Sequence, residues 1–140
     1  MNIIVLGASG LVGSNIVRRF REGGLDVVGT YHTTQTDETS VQLNITNEEA
    51  ISELVADHDP DAIVNAAAFA DVDACELKRD RAWAVNTTGT RNAAVAAAEA
   101  DAHFIHISTD YVFGGGPNEA PYAETDPPCP LNYYGATKRA

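Results

Sequence analysis

Tyr134 and Lys138, four residues apart near the end of the chain, have the spacing that puts two side chains on one face of a helix. A free phenol, with a pKa of about 10, exchanges protons poorly at neutral pH. A neighbouring ammonium stabilises the phenolate and lowers that value, so the pair can trade a proton with a carbonyl or an alcohol. Two hydroxyls, Ser108 and Thr109, follow an apolar run and can hold the same oxygen. This spacing also occurs in ordinary surface helix pairs, so its meaning depends on what the rest of the chain builds around it.

At the other end of the chain stands NIIVLGASGLVG, from Asn2 to Gly13. An apolar run, Ile3 to Leu6, leads into Gly7, Gly10 and Gly13, and then into Val12, Ile16, Val17 and Phe20 at helical spacing. The pattern predicts strand, tight turn and helix. The first glycine permits the turn, the second lets backbone approach a pyrophosphate at the helix N-terminus, and the third lets helix pack on strand. The spacing is G-x-x-G-x-x-G rather than G-x-G-x-x-G. A dinucleotide is expected here, on Gly7, Ser9, Gly10, Leu11, Val12 and Gly13, a turn built for packing only being the alternative. The residue that would grip its adenosine ribose belongs at the end of the second strand, where Thr30, Tyr31 and His32 stand and none is acidic. NADP is therefore favoured, with NAD left open. Tyr31, His32 and Thr33 are candidate contacts, plain loop residues being the alternative, and a preference for NADH would require an acidic residue from elsewhere, such as Asp37 or Glu38.

The intervening sequence alternates between strand and helix patterns. Strands are expected at Leu25 to Thr30, Val41 to Ile45, Ala62 to Ala67 and His103 to Ser108. Thr46 to Glu49 has the form of a capping box before Ala50, Ile51, Leu54 and Val55, and Asp59, Pro60 and Asp61 end that helix. Small residues closing the fourth strand either leave room for a ligand over the sheet or simply pack under a helix. From Asp73 to Ala100 the chain reads as helical with a break near Asp80; Trp83 and Val85 are expected in the core, and Asn86 faces either ligand or solvent. This order implies an α/β fold with a doubly wound parallel sheet in three layers. Five of the six prolines lie between Pro117 and Pro130, marking a long irregular loop that leads into a helix beginning at Asn132.

Length and composition narrow the options. The 140 residues fit one domain, 44% are apolar, and no apolar run is long enough to span a bilayer or form a signal segment, so a soluble, cytoplasmic protein is expected. A net charge of −11 argues against nucleic acid or anionic membranes as partners. An acidic surface with only two lysines also suits high salt. Cys75 and Cys129 match no metal or redox spacing and are read as free thiols, and no metal site is expected.

With these segments in hand, the chain resembles the extended short-chain dehydrogenases/reductases, and within them the dTDP-4-dehydrorhamnose reductases. The resemblance rests on GASGLVG (residues 7–13), IVNAAAFADVDACE (63–76), the Val85-Asn86 pair, STDYVFGG (108–115), PYAETD (121–126) and PLNYYGATK (130–138). It implies NAD(P)H-dependent reduction of a 4-keto sugar carried on a nucleotide, with Tyr134 protonating the keto oxygen. Lys138 would bind the nicotinamide ribose and depress the tyrosine pKa, and Thr109, rather than Ser108, would orient the carbonyl. Asn65, Ala66, Ala67 and Ala68 would line the cofactor cleft, with Asn86 a weaker candidate. Asn44 and Ile45 would meet the adenine, Asn44 standing where relatives often carry an aspartate and accepting from the adenine amino group in its place. Tyr111 follows Asp110 where the superfamily's dehydratases have a glutamate, which favours reduction over dehydration. Only five of the six strands of a full dinucleotide fold precede Ala140, so residues 1–140 read as the N-terminal NAD(P)-binding part of a longer protein, inactive alone and compatible with a homodimer. Two readings compete: an NADP-binding regulatory protein like the beta subunit of methionine adenosyltransferase, and a sugar-nucleotide epimerase.

Overall fold

A computed structural model describes residues 1–35, 40–116 and 121–140. Strand β1 (Asn2–Leu6) lies at the centre of a five-stranded sheet of order β3-β2-β1-β4-β5, with every pair parallel. The other strands are β2 (Asp26–Tyr31), β3 (Val41–Gln42), β4 (Ala62–Asn65) and β5 (His103–His106). The chain winds outward from β1 in one direction through β2 and β3, then returns to its other side for β4 and β5. That reversal opens a crevice at the carboxyl ends of β1 and β4, where such sheets bind ligands.

Alternation along β1 divides the core between two faces. Ile3 and Val5 pack with Val17, Val27 and Val64 beneath α1 (Leu11–Glu22). Ile4 and Leu6 pack on the opposite face with Ile51, Leu54, Val55 and Ile63, against α2 (Glu48–His58) and α5 (Thr90–Glu99). Ala93, Ala96 and Ala97 form the buried side of α5, and their small side chains let it lie close to the sheet. Between β4 and α5 run two short helices, α3 (Val72–Leu77) and α4 (Arg79–Trp83), and a wide π-type segment, Ala84–Gly89; α6 (Tyr133–Arg139) follows the proline-rich loop.

Several boundaries differ from expectation, each for a local reason. β3 is only two residues long, because Leu43 and Ile45 leave the sheet to enter the core. The cap of α2 is Asn47, whose side chain accepts from the Ala50 amide, while the Thr46 hydroxyl donates to Asn44. β4 ends at Asn65, where the side-chain oxygen takes the Ala67 amide out of the ladder. The helical break falls at Lys78. Trp83 is 46% exposed and anchors no core, and Val12, expected on the packed face of α1, is 48% exposed at its mouth. Asp37 and Glu38 lie outside the described residues. Among those described, no helix is long and apolar enough to cross a membrane.

Candidate functional site

The turn after β1 is held in a conformation that favours glycine. Gly7 has φ +77°, and a Cβ there would stand 2.7 Å from the backbone of Ala67, so this residue lets the turn pass close to the end of β4. Buried Thr30 ties the turn down from β2: its hydroxyl accepts from the Gly7 amide at 3.3 Å and its carbonyl from the Ala8 amide at 2.7 Å. Gly10 precedes α1, which has no side-chain cap and no acidic residue in its first turn. Its N-terminal amides and the positive end of its dipole suit an anion.

Beside this turn lies a cleft of about 470 Å³. Gly7, Ser9 and Gly10 form one wall, and Tyr31, His32, Asn44 and Ile45 another; Ala66, Ala67 and Ala68 continue the lining after β4. These ten are expected contacts brought to one place. Leu11, 84% exposed, and Val12 sit just outside the lining, and Gly13 is buried with its α-carbon facing the Gly7 carbonyl. Asn65 is fully buried and does not line the cleft: its oxygen accepts from Ala67 and its amide nitrogen faces Thr90 and His106. Asn86 is also buried, its amide bonded to both backbone groups of Phe69 and to the Thr137 hydroxyl, so it faces neither ligand nor solvent. The Asn44 oxygen accepts from the amide and the hydroxyl of Thr46, which occupies both lone pairs expected to serve an adenine amino group. What Asn44 retains is an amide donor.

Arg81 was not anticipated. Its guanidinium lies 4.8 Å over the Phe69 ring, and it is the one lysine or arginine among the described residues lining the cleft. Its signal was the helical spacing of Arg81, Ala84 and Val85, all of which line the same wall. Asn92 was also missed; it donates from α5 to the carbonyls of Ile45 and Thr46 and so fixes the loop that carries Asn44.

Tyr134 and Lys138 lie apart from this lining, on α6. The helix has only seven residues and is held by its surroundings. Asn132 caps it through the Gly135 amide, and Glu76 accepts from the Tyr133 amide at 2.6 Å. Arg79 bonds Glu76 at 2.7 Å and lies over the Tyr133 ring. Both partners hold the Glu76 carboxyl below its ordinary pKa, the Tyr133 amide more than Arg79. From the π-type segment, Asn86 grips the Thr137 hydroxyl and Thr87 the Thr137 carbonyl. Gly135 permits the remaining contact, since a Cβ there would overlap the carbonyl of Tyr111.

These restraints bring Tyr134 to Thr109. Burial raises the phenol pKa above its ordinary value, with Cys75 and Asp110 adding to the rise, while a hydrogen bond with the Thr109 side chain opposes it. Ser108 is exposed. The expected depression of the tyrosine by Lys138 is absent: the lysine Nζ instead lies 2.9 Å from Nε2 of His106. Burial lowers the Lys138 pKa to about 8; burial, and then the charge of Lys138, lower His106 to about 4. His106 is the residue that sequence reading overlooked most plainly, because nothing local links position 106 to position 138. Cys75 and Cys129 are unpaired, and no group of three potential metal ligands occurs among the described residues.

A parallel sheet with a glycine turn and an uncapped helix at its point of reversal defines the class as a doubly wound, Rossmann-type α/β protein. Comparison with known proteins narrows it. The family model described as the RmlD substrate binding domain matches residues 1–140, and the chain belongs to the RmlD, or dTDP-4-dehydrorhamnose reductase, family. It is 42% identical over 140 residues to the probable low-salt glycan biosynthesis reductase Agl14 of Haloferax volcanii, covering 99% of this chain and 46% of that protein. It is 41% identical to the dTDP-4-dehydrorhamnose reductase of Mycolicibacterium smegmatis, covering 99% of this chain and 39% of that one. The crystal structure of dTDP-4-dehydrorhamnose reductase from Bacillus anthracis in complex with NADP superposes with a TM-score of 0.86 at 35% identity, over 99% of this chain and 46% of that chain. The chain thus spans less than half the length of each of these relatives.

Proposed function

We propose that residues 1–140 are the cofactor-binding domain of an NADPH-dependent reductase acting on a nucleotide-linked 4-keto-6-deoxy sugar. The observation that carries this reading is the meeting of Tyr134 with the Thr109 hydroxyl on a helix that also bears Lys138. The cleft fits a dinucleotide on its own evidence: the Gly7 turn passes against Ala67, the α1 N-terminus offers amides to a pyrophosphate, and no acidic side chain stands at Thr30 to His32 to repel a 2′-phosphate. Arg81 adds the positive charge that a phosphorylated cofactor needs.

A nicotinamide held there supplies hydride. Tyr134 donates a proton to the carbonyl oxygen of the substrate; the phenol is protonated at neutral pH at its ordinary value, and the rise that burial causes works against its giving the proton up. Thr109 orients the same oxygen, and Lys138 provides the nearby amine. Asp110 is followed by Tyr111, so this strand end lacks the paired carboxylates that removal of water would use.

The test is to incubate the whole protein with NADPH and a dTDP-4-keto-6-deoxy sugar, following both cofactor oxidation and the deoxysugar product. Turnover with NADPH at least as fast as with NADH is expected, and the 140-residue chain assayed alongside is expected to be inactive. Cofactor binding without turnover on any keto sugar would instead favour a regulatory protein. The charge of −11 supports a working environment of high salt. Thermal melts should accordingly rise steeply from dilute buffer to molar salt, as screening relieves carboxylate repulsion; an unmoved midpoint would remove that support.

A further inference from the structure

Charge is distributed unevenly around the cleft. The chain carries twenty acidic residues, yet none stands among the described residues that line the cleft. Of its nine basic residues none falls between residues 22 and 77, so β2, β3 and β4 bring no lysine or arginine to the lining. Arg81 reaches it from α4. Elsewhere the arginines find carboxylates: Arg18 and Arg19 lie 3.9 and 3.1 Å from Glu22, and Arg79 lies 2.7 Å from Glu76. Arg81 makes no ion pair among the described residues, and its guanidinium lies over the Phe69 ring, exposed at the mouth of the cleft. An arginine without a carboxylate, in a chain of net charge −11, is ready to take an anion, and its planar fork matches phosphate oxygens.

The fold decides which part of a dinucleotide Arg81 meets. The adenosine belongs over the end of β2, where Tyr31 and His32 line the cleft. Phe69 lies in the other direction, because its amide and its carbonyl are both bonded to Asn86, which also bonds Thr137 on the helix of Tyr134. The residues that lead into Phe69 pass against the Gly7 turn, with Ala66 and Ala67 its nearest neighbours. Arg81 on Phe69 therefore stands between the two ends of the cleft, beside the glycine turn, and the group that crosses such a turn is the pyrophosphate. The end of the α1 dipole is worth about half a positive charge, less than a pyrophosphate carries. We propose that Arg81 closes over the pyrophosphate of the bound dinucleotide, with Phe69 supporting its guanidinium, so that the diphosphate is held between the α1 amides and a full cation. This rests on the reading of the cleft as the dinucleotide site. At this place the arginine takes no part in reading a 2′-phosphate, which would lie beside Thr30 to His32, so it serves NADPH and NADH alike.

The experiment measures binding to the whole protein without substrate, by nicotinamide fluorescence for NADPH and NADH and by calorimetry for ADP-ribose and 2′-AMP, the last of which has no pyrophosphate. Arg81→Met keeps an unbranched chain over Phe69 and removes the charge. It should weaken NADPH, NADH and ADP-ribose alike, by about tenfold, the scale of a charged hydrogen-bonded pair, and leave 2′-AMP unchanged. Unaltered 2′-AMP binding in the same cleft also shows that the variant is folded. Arg81→Lys keeps the charge without the planar fork and should recover part of the loss. Added salt should narrow the gap between parent and Met variant, because a pair at the mouth is screened. A loss confined to NADPH would put the guanidinium on the 2′-phosphate, and a loss that includes 2′-AMP would put it on the adenosine. Either result overturns the proposal, as does equal affinity of parent and variant for all four ligands. A parent that binds neither NADPH nor NADH would instead refute the reading of the cleft itself, so the two failures are distinguishable.

Discussion

The two ends of the candidate site are built by different means. At the cofactor end the main instrument is backbone: Gly7 at φ +77°, the Thr30 carbonyl and hydroxyl on the turn, and the open amides of α1. At the Tyr134 end it is side chains reaching across large sequence separations, Asn86 and Thr87 to Thr137, Glu76 to Tyr133, and His106 to Lys138. A turn whose geometry is set by neighbouring residues is complete once β1, β2 and β4 have paired. A seven-residue helix is too short to be stable alone and takes its position from what grips it. The first end should therefore fail through steric intrusion, and the second through loss of individual hydrogen bonds.

The largest effect is expected at Tyr134 itself. Tyr134→Phe in the whole protein removes the proton donor and leaves the glycine turn untouched, so turnover should fall by roughly 100-fold or more while the NADPH dissociation constant changes little. Wild-type turnover in this variant would show that the proton comes from elsewhere. Gly7→Ala should do the reverse: its Cβ would meet the Ala67 backbone at 2.7 Å in a backbone conformation that L side chains avoid, at a cost of about 1–3 kcal/mol for the strain alone. Cofactor affinity should collapse in step with thermal stability, and retained binding would mean that the β4 end can move aside.

Asn86→Ala probes the grip on α6 without removing a side chain from the cleft lining or from the reacting groups. It strands the Phe69 amide, and stability should drop by about 1–3 kcal/mol in denaturant melts. Turnover should fall more than NADPH affinity, because Thr137, and with it Tyr134, is released; the opposite split would move Asn86 back to the cofactor. A smaller effect is expected from pH. His106 titrates near 6.5 when unfolded and at about 4 when folded, so the unfolded chain binds more protons between those values. Stability at His106 is therefore full above about pH 6.5 and is lost as the pH falls toward 4. His106→Gln should flatten that part of the melting-temperature profile, and an unaltered profile would place the acid sensitivity in the carboxylates.

Much of the first end was legible before any coordinates. Ile3 to Leu6 followed by three glycines gives a strand, a turn and a helix from local rules, and the alternation along β1 assigns its faces. The capping of α2 was misread by one position because Thr46 and Asn47 are both competent caps, and only the Asn44 side chain, which engages the Thr46 hydroxyl, decides between them. Trp83 was expected in the core, but the end of α4 and the start of the π-type segment direct Arg81 and Ala84 to the cleft and leave Trp83 half exposed.

The amino-acid sequence determined the alternation of strands and helices, the glycine turn, the lack of a carboxylate at the end of β2 and the four-residue spacing of Tyr134 and Lys138, because each is fixed by residues within a few positions of one another. Through the resemblance that their motifs carry, it also pointed to Thr109 and Tyr134 as partners in the proposed reaction. Only the tertiary structure decided that Asn86 supports α6 instead of facing the cleft, that Arg81 lines it, and that His106 takes the Lys138 amine. These pairings join residues 51, 12 and 32 positions apart, counting Asn86 to Thr137, Arg81 to Phe69, and His106 to Lys138. The physical reason is that a buried donor or acceptor must find a partner wherever the chain packing supplies one, and no local pattern records which distant group that will be.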